Sequence, residues 1–335
     1  PKTPVLRYSI RVITSPHNYV QEDFKAKRLP LVVLVGLALT APGLVFADSG
    51  SIHQEHSFEA RHGATVLVDV SFHSVEVEAR PGSTVDVVVD IEVSGSTSKV
   101  KKALNQLEPE FIDKGETLVV RSVTKGISWT GSPRTRGQVT VAMPPDMNLT
   151  IDSSSGACEV RGDFGDSRLV FDLSSGRVGV TGAAREIATD SSSGSVTLEL
   201  SRPAERISVD ASSGSVKVSG GAADLRVDLS SGSVEASGLL GNAVVDTSSG
   251  RVDLAWSAIP AGAEIAVDSS SGGVTLQFPT GTTIGGKVNT SSGGIKSDFP
   301  GQWADRGHNF ALDGGPGAAS VRIDTSSGGV QLLAR

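Results

Sequence analysis

Several sets of side chains in this sequence could do chemistry. Four histidines, His53, His56, His62 and His73, fall close together. A zinc site needs three or four converging ligands from imidazole, thiolate and carboxylate. No cysteine and no regularly spaced acidic set accompanies these four, so they read as exposed polar residues. A second set is the aspartates Asp152, Asp172, Asp190, Asp210, Asp228, Asp246, Asp268 and Asp324, each four residues before a glycine. Stacked carboxylates could hold calcium. Calcium-binding β-rolls, however, place a Gly-Gly-x-Gly-x-Asp corner that is absent here. Asn289 takes the same place in one copy and gives up the charge, which suits a turn better than a metal. The serines between Asp and Gly could form a hydroxyl ladder for ice or glycan, but serine is also a preferred turn residue.

Polysaccharide cleavage by a repetitive β-protein needs acidic or basic groups clustered on one face. Arg177 and Arg251 share a column but lie four units apart. Cys158, the only cysteine, stands where the other copies carry Val or Ile, as expected of a buried structural thiol rather than a nucleophile. The segment from Trp129 to Arg134 and Arg136 pairs an aromatic ring with two cations and is the best candidate contact surface. No catalytic residue, metal set or cofactor site is expected.

The element that must position these residues is a repeat. Gly156, Gly176, Gly194, Gly214, Gly232, Gly250, Gly272, Gly293 and Gly328 follow one another at 20, 18, 20, 18, 18, 22, 21 and 35 residues. A period near twenty marks a solenoid built of stacked units. Within each unit, apolar residues precede the Asp by one and three positions, as do Val209 and Ile207. They follow it by six and eight, as do Val216 and Val218. That alternation predicts two short strands per unit, each with one buried face. Asp172 and Gly176, Asp190 and Gly194, Asp210 and Gly214, Asp228 and Gly232, Asp246 and Gly250, Asp268 and Gly272, and Asp324 and Gly328 are expected to build the corner between them. The Asp would accept a backbone bond as an Asx-turn and the Gly would take positive φ. The fold expected is all-β: a parallel, right-handed β-solenoid of about nine Asp-x-Ser-Ser-Gly rungs. At ~4.8 Å per rung it would be roughly 40 Å long.

Three segments follow. Residues 1–47 end in a basic stretch, an apolar run and Val45-Phe46-Ala47, which predicts a secretion signal cleaved after Ala47. Residues 48–148 carry strand patterns at Val66–Val70, Val75–Val77, Val85–Val93, Leu118–Val120 and Val139–Val141. One helix over Val100, Ala103, Leu104 and Leu107 is expected, capped by Thr97 or Ser98. This region is expected to cap the repeats or to add degenerate rungs. Residues 149–335 hold the repeats, and the long interval before Gly328 is read as a side loop packed on them. Beyond Ala47 the chain has 24 Lys and Arg against 35 Asp and Glu, net −11, which argues against nucleic acid and anionic membranes.

The chain resembles a known family at this point. A secretion signal leads into β-rich sequence ending at Val139-Thr140-Val141-Ala142-Met143-Pro144. Serial Asp/Asn-x-Ser-Ser-Gly-x-Val/Ile units follow, closing with Ile323-Asp324-Thr325-Ser326-Ser327-Gly328-Gly329-Val330. This is similar to the bacterial putative adhesin domain family, a repeat family of unknown function, over roughly residues 58–335. The resemblance implies a non-enzymatic, exported or envelope-facing protein in the periplasm, on the cell surface or outside the cell. Its partner would be an unidentified protein or glycan, with self-association through the solenoid ends as a further expectation. A carbohydrate-binding or polysaccharide-modifying protein is the alternative.

Overall fold

The computed structural model describes residues 7–8, 48–123 and 133–335. The expected cleavage site at Ala47 and the candidate Trp129 lie outside these residues. Among the described residues the protein is all-β with one helix, and its 26 strands join into a single sheet.

Each repeat unit has two arms meeting at the Ser-Ser-Gly corner. Alternation sets their faces: in Ala204–Ser213 and Val216–Ser219, Ile207, Val209, Ala211, Val216 and Val218 are buried while Asp210 and Lys217 are exposed. Arg168–Ala183 and Glu186–Leu200 run through the corner as single strands, whereas later units break there. The first arms pair in parallel and in register, so that Asp172 lies opposite Asp190, Asp190 opposite Asp210 and Asp210 opposite Asp228; among the second arms the register shifts between Ser237 and Leu239. The return between central units is short, as at Gly220-Gly221. Stacking fuses the inward columns into one continuous apolar core from Phe58 to Leu332.

The order of units along the sheet departs from the order along the chain at both ends. Near the N-terminal end, Thr65–Val70 lies between Thr117–Ser122 and Asn148–Ser153. Its second arm, His73–Ala79, lies between Arg134–Met143 and Ala157–Asp163. This is a degenerate unit: Asp69 pairs with Asp152, and His73 occupies the place of the repeat glycine. Near the other end the last unit, Ala319–Ser327 with Val330–Ala334, is inserted between Glu264–Ser271 and Ile284–Ser292. The interval read as a side loop is instead part of the sheet. Asn309–Leu312 pairs antiparallel with Ile284–Ser292, and Gly301–Ala304 pairs antiparallel with Asn309–Leu312. The physical reason is the insertion itself. It leaves Ile284–Ser292 on the outside with unpaired backbone groups, and the returning chain satisfies them.

The N-terminal end is finished by the same device. Asp48–Glu59, Thr84–Gly95 and Arg134–Met143 form an antiparallel run, and Glu110–Asp113 closes the other ladder antiparallel to Thr117–Ser122. Arg7–Tyr8 pairs antiparallel with Gln54 and Glu55. The helix Thr97–Gln106 buries Val100 and Ala103, as its spacing predicts. Its N-cap is Ser96, one or two residues before the expected position, and Ser96 makes no side-chain cap bond; its carbonyl accepts from Lys99 and Val100.

Candidate functional site

Eight of the nine repeat glycines hold φ between 132° and 151°, a region that side chains rarely enter. The corner is also where successive units come closest. A Cβ on Gly214 would fall on the carbonyl oxygen of Gly194, and one on Gly232 on that of Gly214. The aspartates do something else, which corrects the expected Asx-turn. Asp172, Asp190, Asp210, Asp228, Asp246 and Asp268 accept no hydrogen bond among the described residues and stand exposed on the outer face. The physical reason is strand phase: the arm continues one residue beyond the Asp, and that next residue points inward. In three units its hydroxyl makes the local bond, whereas Ser269, Thr290 and Thr325 at the same place are buried without a partner among the described residues. Ser153 donates to Ser155 O at 3.1 Å, Ser191 to Ser193 O at 3.2 Å and Thr247 to Ser249 O at 3.3 Å. The only sequence signal for this role was the hydroxyl that recurs at a position where other units have Leu173, Ala211 or Leu229.

Nine carboxylates therefore line up on successive strands, from Asp69 through Asp152, Asp172, Asp190, Asp210, Asp228, Asp246 and Asp268 to Asp324. Both ends of the row are neutralised. Arg121 Nε donates to Asp69 at 2.7 Å. Asn289 Nδ2 donates to Asp324 at 2.6 Å and Arg322 Nε at 2.7 Å, and these bonds hold that carboxyl below its ordinary value. Inside the row, partial burial and then the neighbouring aspartates raise Asp152 and Asp246. Beside the C-terminal end of the row, Asp268, Asn289, Asn309 and Asp324 line a polar depression of about 370 Å³.

Arg134 and Arg136 do come together, on the exposed face of the antiparallel run at the N-terminal end. Arg134 lies opposite Ser94, which lies opposite Ser49; Arg136 lies opposite Glu92, which lies opposite Ser51. These residues line a groove of about 370 Å³. Ten described arginines have an acidic partner, among them Arg61 with Asp113 and Arg202 with Asp163, whereas Arg134 and Arg136, like Arg177, Arg185, Arg306 and Arg335, have none among the described residues; only Arg134 and Arg136 of these stand two residues apart on one strand.

The four histidines do not converge. His53 Nδ1 bonds Asp90 at 2.6 Å and Nε2 bonds Glu55 at 3.3 Å, with its pKa raised chiefly by Asp90. His56 stacks on Phe111, and His62 meets Asp146 at 2.9 Å. His73 is fully buried against Phe72, and burial lowers its pKa to about 4. No group of three or more His, Cys, Asp or Glu side chains among the described residues is placed to hold a metal ion. Cys158 is buried in the inward column and its thiol is pushed up to about 12, mainly by burial.

No curated protein matches the chain. Among solved structures, a putative adhesin from Parabacteroides distasonis is 11% identical, with 83% of this chain and 96% of that one covered and a TM-score of 0.41. A putative adhesin from Bacteroides fragilis is 12% identical, covering 84% and 97%, with a TM-score of 0.37. A putative lipid binding protein from Parabacteroides distasonis is 11% identical, covering 82% and 96%, with a TM-score of 0.38. The family model described as Toastrack DUF4097 matches residues 67–333, from the degenerate first unit to the inserted last one. The chain belongs to the Toastrack DUF4097 family.

Proposed function

We propose that this protein is a non-enzymatic, exported, adhesin-like β-solenoid that presents ordered rows of side chains for binding or scaffolding at the cell envelope. In this reading the units wind as a right-handed coil, the hand that parallel crossovers adopt almost without exception. The observation that carries the proposal is the in-register stacking of the units, which repeats one outward side-chain pattern over many strands. A surface of that kind suits extended contact with a partner. The periplasm, the cell surface and the medium are all compatible destinations, and the ends of the sheet are the places for self-association.

The test is fractionation of cells producing the full chain, with protease accessibility on intact cells, followed by capture of envelope components on the purified protein. Recovery outside the cytoplasm with a leader-shortened N-terminus and a saturable envelope partner is expected. Confinement to the cytoplasm would remove the reading. The alternative, a carbohydrate-binding protein, is favoured by one observation, the open groove at Arg134 and Arg136.

A further inference from the structure

We infer that the groove at Arg134 and Arg136 binds the anionic groups of an acidic polysaccharide. This deepens the adhesin-like reading and rests on it. Two guanidiniums two residues apart on one strand present adjacent fork-shaped donor sets to the same side. Such forks match the two oxygens of a carboxylate, sulfate or phosphate. In a chain of net charge −7, an arginine without an acidic partner leaves a guanidinium free for an outside ligand. Here two such arginines share one wall of a groove.

The rest of the lining narrows the class. Ser49 and Ser94 lie in the row of Arg134 and offer hydroxyls that both donate and accept, as sugar hydroxyls require. Glu92 lies in the row of Arg136, where its carboxylate can accept from a sugar hydroxyl and disfavours a ligand that is charged along its whole length. A lipid headgroup has the same anionic chemistry, but a membrane surface also calls for apolar side chains to insert. Among the described residues, the exposed large apolar side chains, Val244 and Trp303, belong to the C-terminal half, remote along the sheet from this groove. The carboxylate row on the other arm repels a polyanion, so the acidic chain is held at this end and not along the stack.

The test measures binding of the full chain to immobilised polygalacturonate and dextran sulfate, with neutral dextran, inorganic phosphate and phosphatidylglycerol vesicles as separate arms. The variants are Arg134→Gln with Arg136→Gln together, and Arg177→Gln as a surface control outside the groove. Acidic polysaccharide is expected to bind and neutral dextran not. Affinity should fall about tenfold for each arginine removed, as for loss of a charge-assisted contact, and the salt dependence should become shallower. Arg177→Gln should behave as the parent. Equal binding by the double variant, or no binding of either acidic polymer, overturns the proposal. Vesicles or free phosphate bound through the same arginines as tightly as the polymers would also overturn it, assigning the groove to a headgroup or a small anion. If the groove fails while the chain still captures an envelope partner with the double variant, the adhesin-like reading stands and only this site falls.

Discussion

Gly214 shows how a single position carries the repeat. Its φ is 138°, and the Gly194 carbonyl lies where a Cβ would go, so strain and collision act together. Gly214→Ala should cost roughly 3 kcal/mol or more, while Ser215→Ala, beside it and without a side-chain bond, should stay within about 0.5 kcal/mol. Chemical denaturation of the two variants checks this, and equal stabilities would contradict the corner geometry. His73, in the equivalent position of the first unit, has a different consequence. It is buried, and neither ring nitrogen has a partner among the described residues. Its folded pKa of about 4 lies below the 6.5 of the unfolded chain, so between these values the unfolded state binds more protons. Stability is therefore lost as pH falls from about 6.5 towards 4, by roughly 3 kcal/mol in total. His73→Phe keeps an aromatic ring and does not titrate. Its melting temperature should fall less than that of the parent between pH 7 and pH 5, and parallel falls would discount His73.

An arm of the repeat is a strand with two fates for its side chains. Val216→Asp puts an unpaired charge into the core and should cost several kcal/mol, whereas Lys217→Asp exchanges an exposed pair with Glu235 at 3.5 Å for an exposed like-charge contact and should cost about 1 kcal/mol. Thermal melts that shift equally would refute the strand phase. The aspartate row is an element-scale property as well, since its energetics belong to the stack. Neighbouring carboxylates at the ~4.8 Å strand spacing repel by about 1 kcal/mol in water. Asp246, raised by partial burial and then by Asp268 and Asp228, carries part of that cost inside the row. Its folded pKa lies above the unfolded one, so the penalty is present at neutral pH and is relieved as pH falls through the raised value. Asp246→Asn should raise the melting temperature by about 1–3 °C at pH 7, with the gain fading in acid and in high salt. Asp228→Ala should also be tolerated, because the carboxylate makes no corner bond. A marked loss on Asp228→Ala would restore the turn role that its exposed position argues against.

At the scale of the molecule, the first and last units are interior. Each is held between two other units, so neither end of the repeat array coincides with an end of the sheet. Val321, Ile323, Val330 and Leu332 are buried as deeply as the central columns. Deleting residues 318–335 should therefore do more than shorten the stack. It opens a gap between Glu264–Ser271 and Ile284–Ser292, and residues 284–312 should lose hydrogen-exchange protection while residues 186–231 keep theirs. If exchange of residues 284–312 were unchanged, the inserted position of the last unit would be wrong. Antiparallel strands close both ladders at the N-terminal end and the Ile284–Ser292 ladder at the other, whereas the second ladder ends on the short, parallel-paired Ile295–Ser297.

What the sequence determined by itself is local and periodic. The inward columns, the two arms, the glycine corner and the helix were all legible, because alternation, the φ demanded of glycine and 3.6-residue spacing act over a few residues. The unit at Asp69 was only half legible. Its valines alternate, but His73 removes the Ser-Ser-Gly signature. Three things waited for the tertiary structure. The order of units was one, since near-identical arms pair in register with any other copy, and nothing local says which copy is the neighbour. The role of the aspartates was another, because a carboxylate before Ser-Ser-Gly fits a turn until strand phase turns it outward. The groove was the third: Arg134 and Arg136 share it with Ser49, Ser94 and Glu92, which are 40 to 87 residues away in sequence and meet only because an antiparallel run closes that end of the sheet.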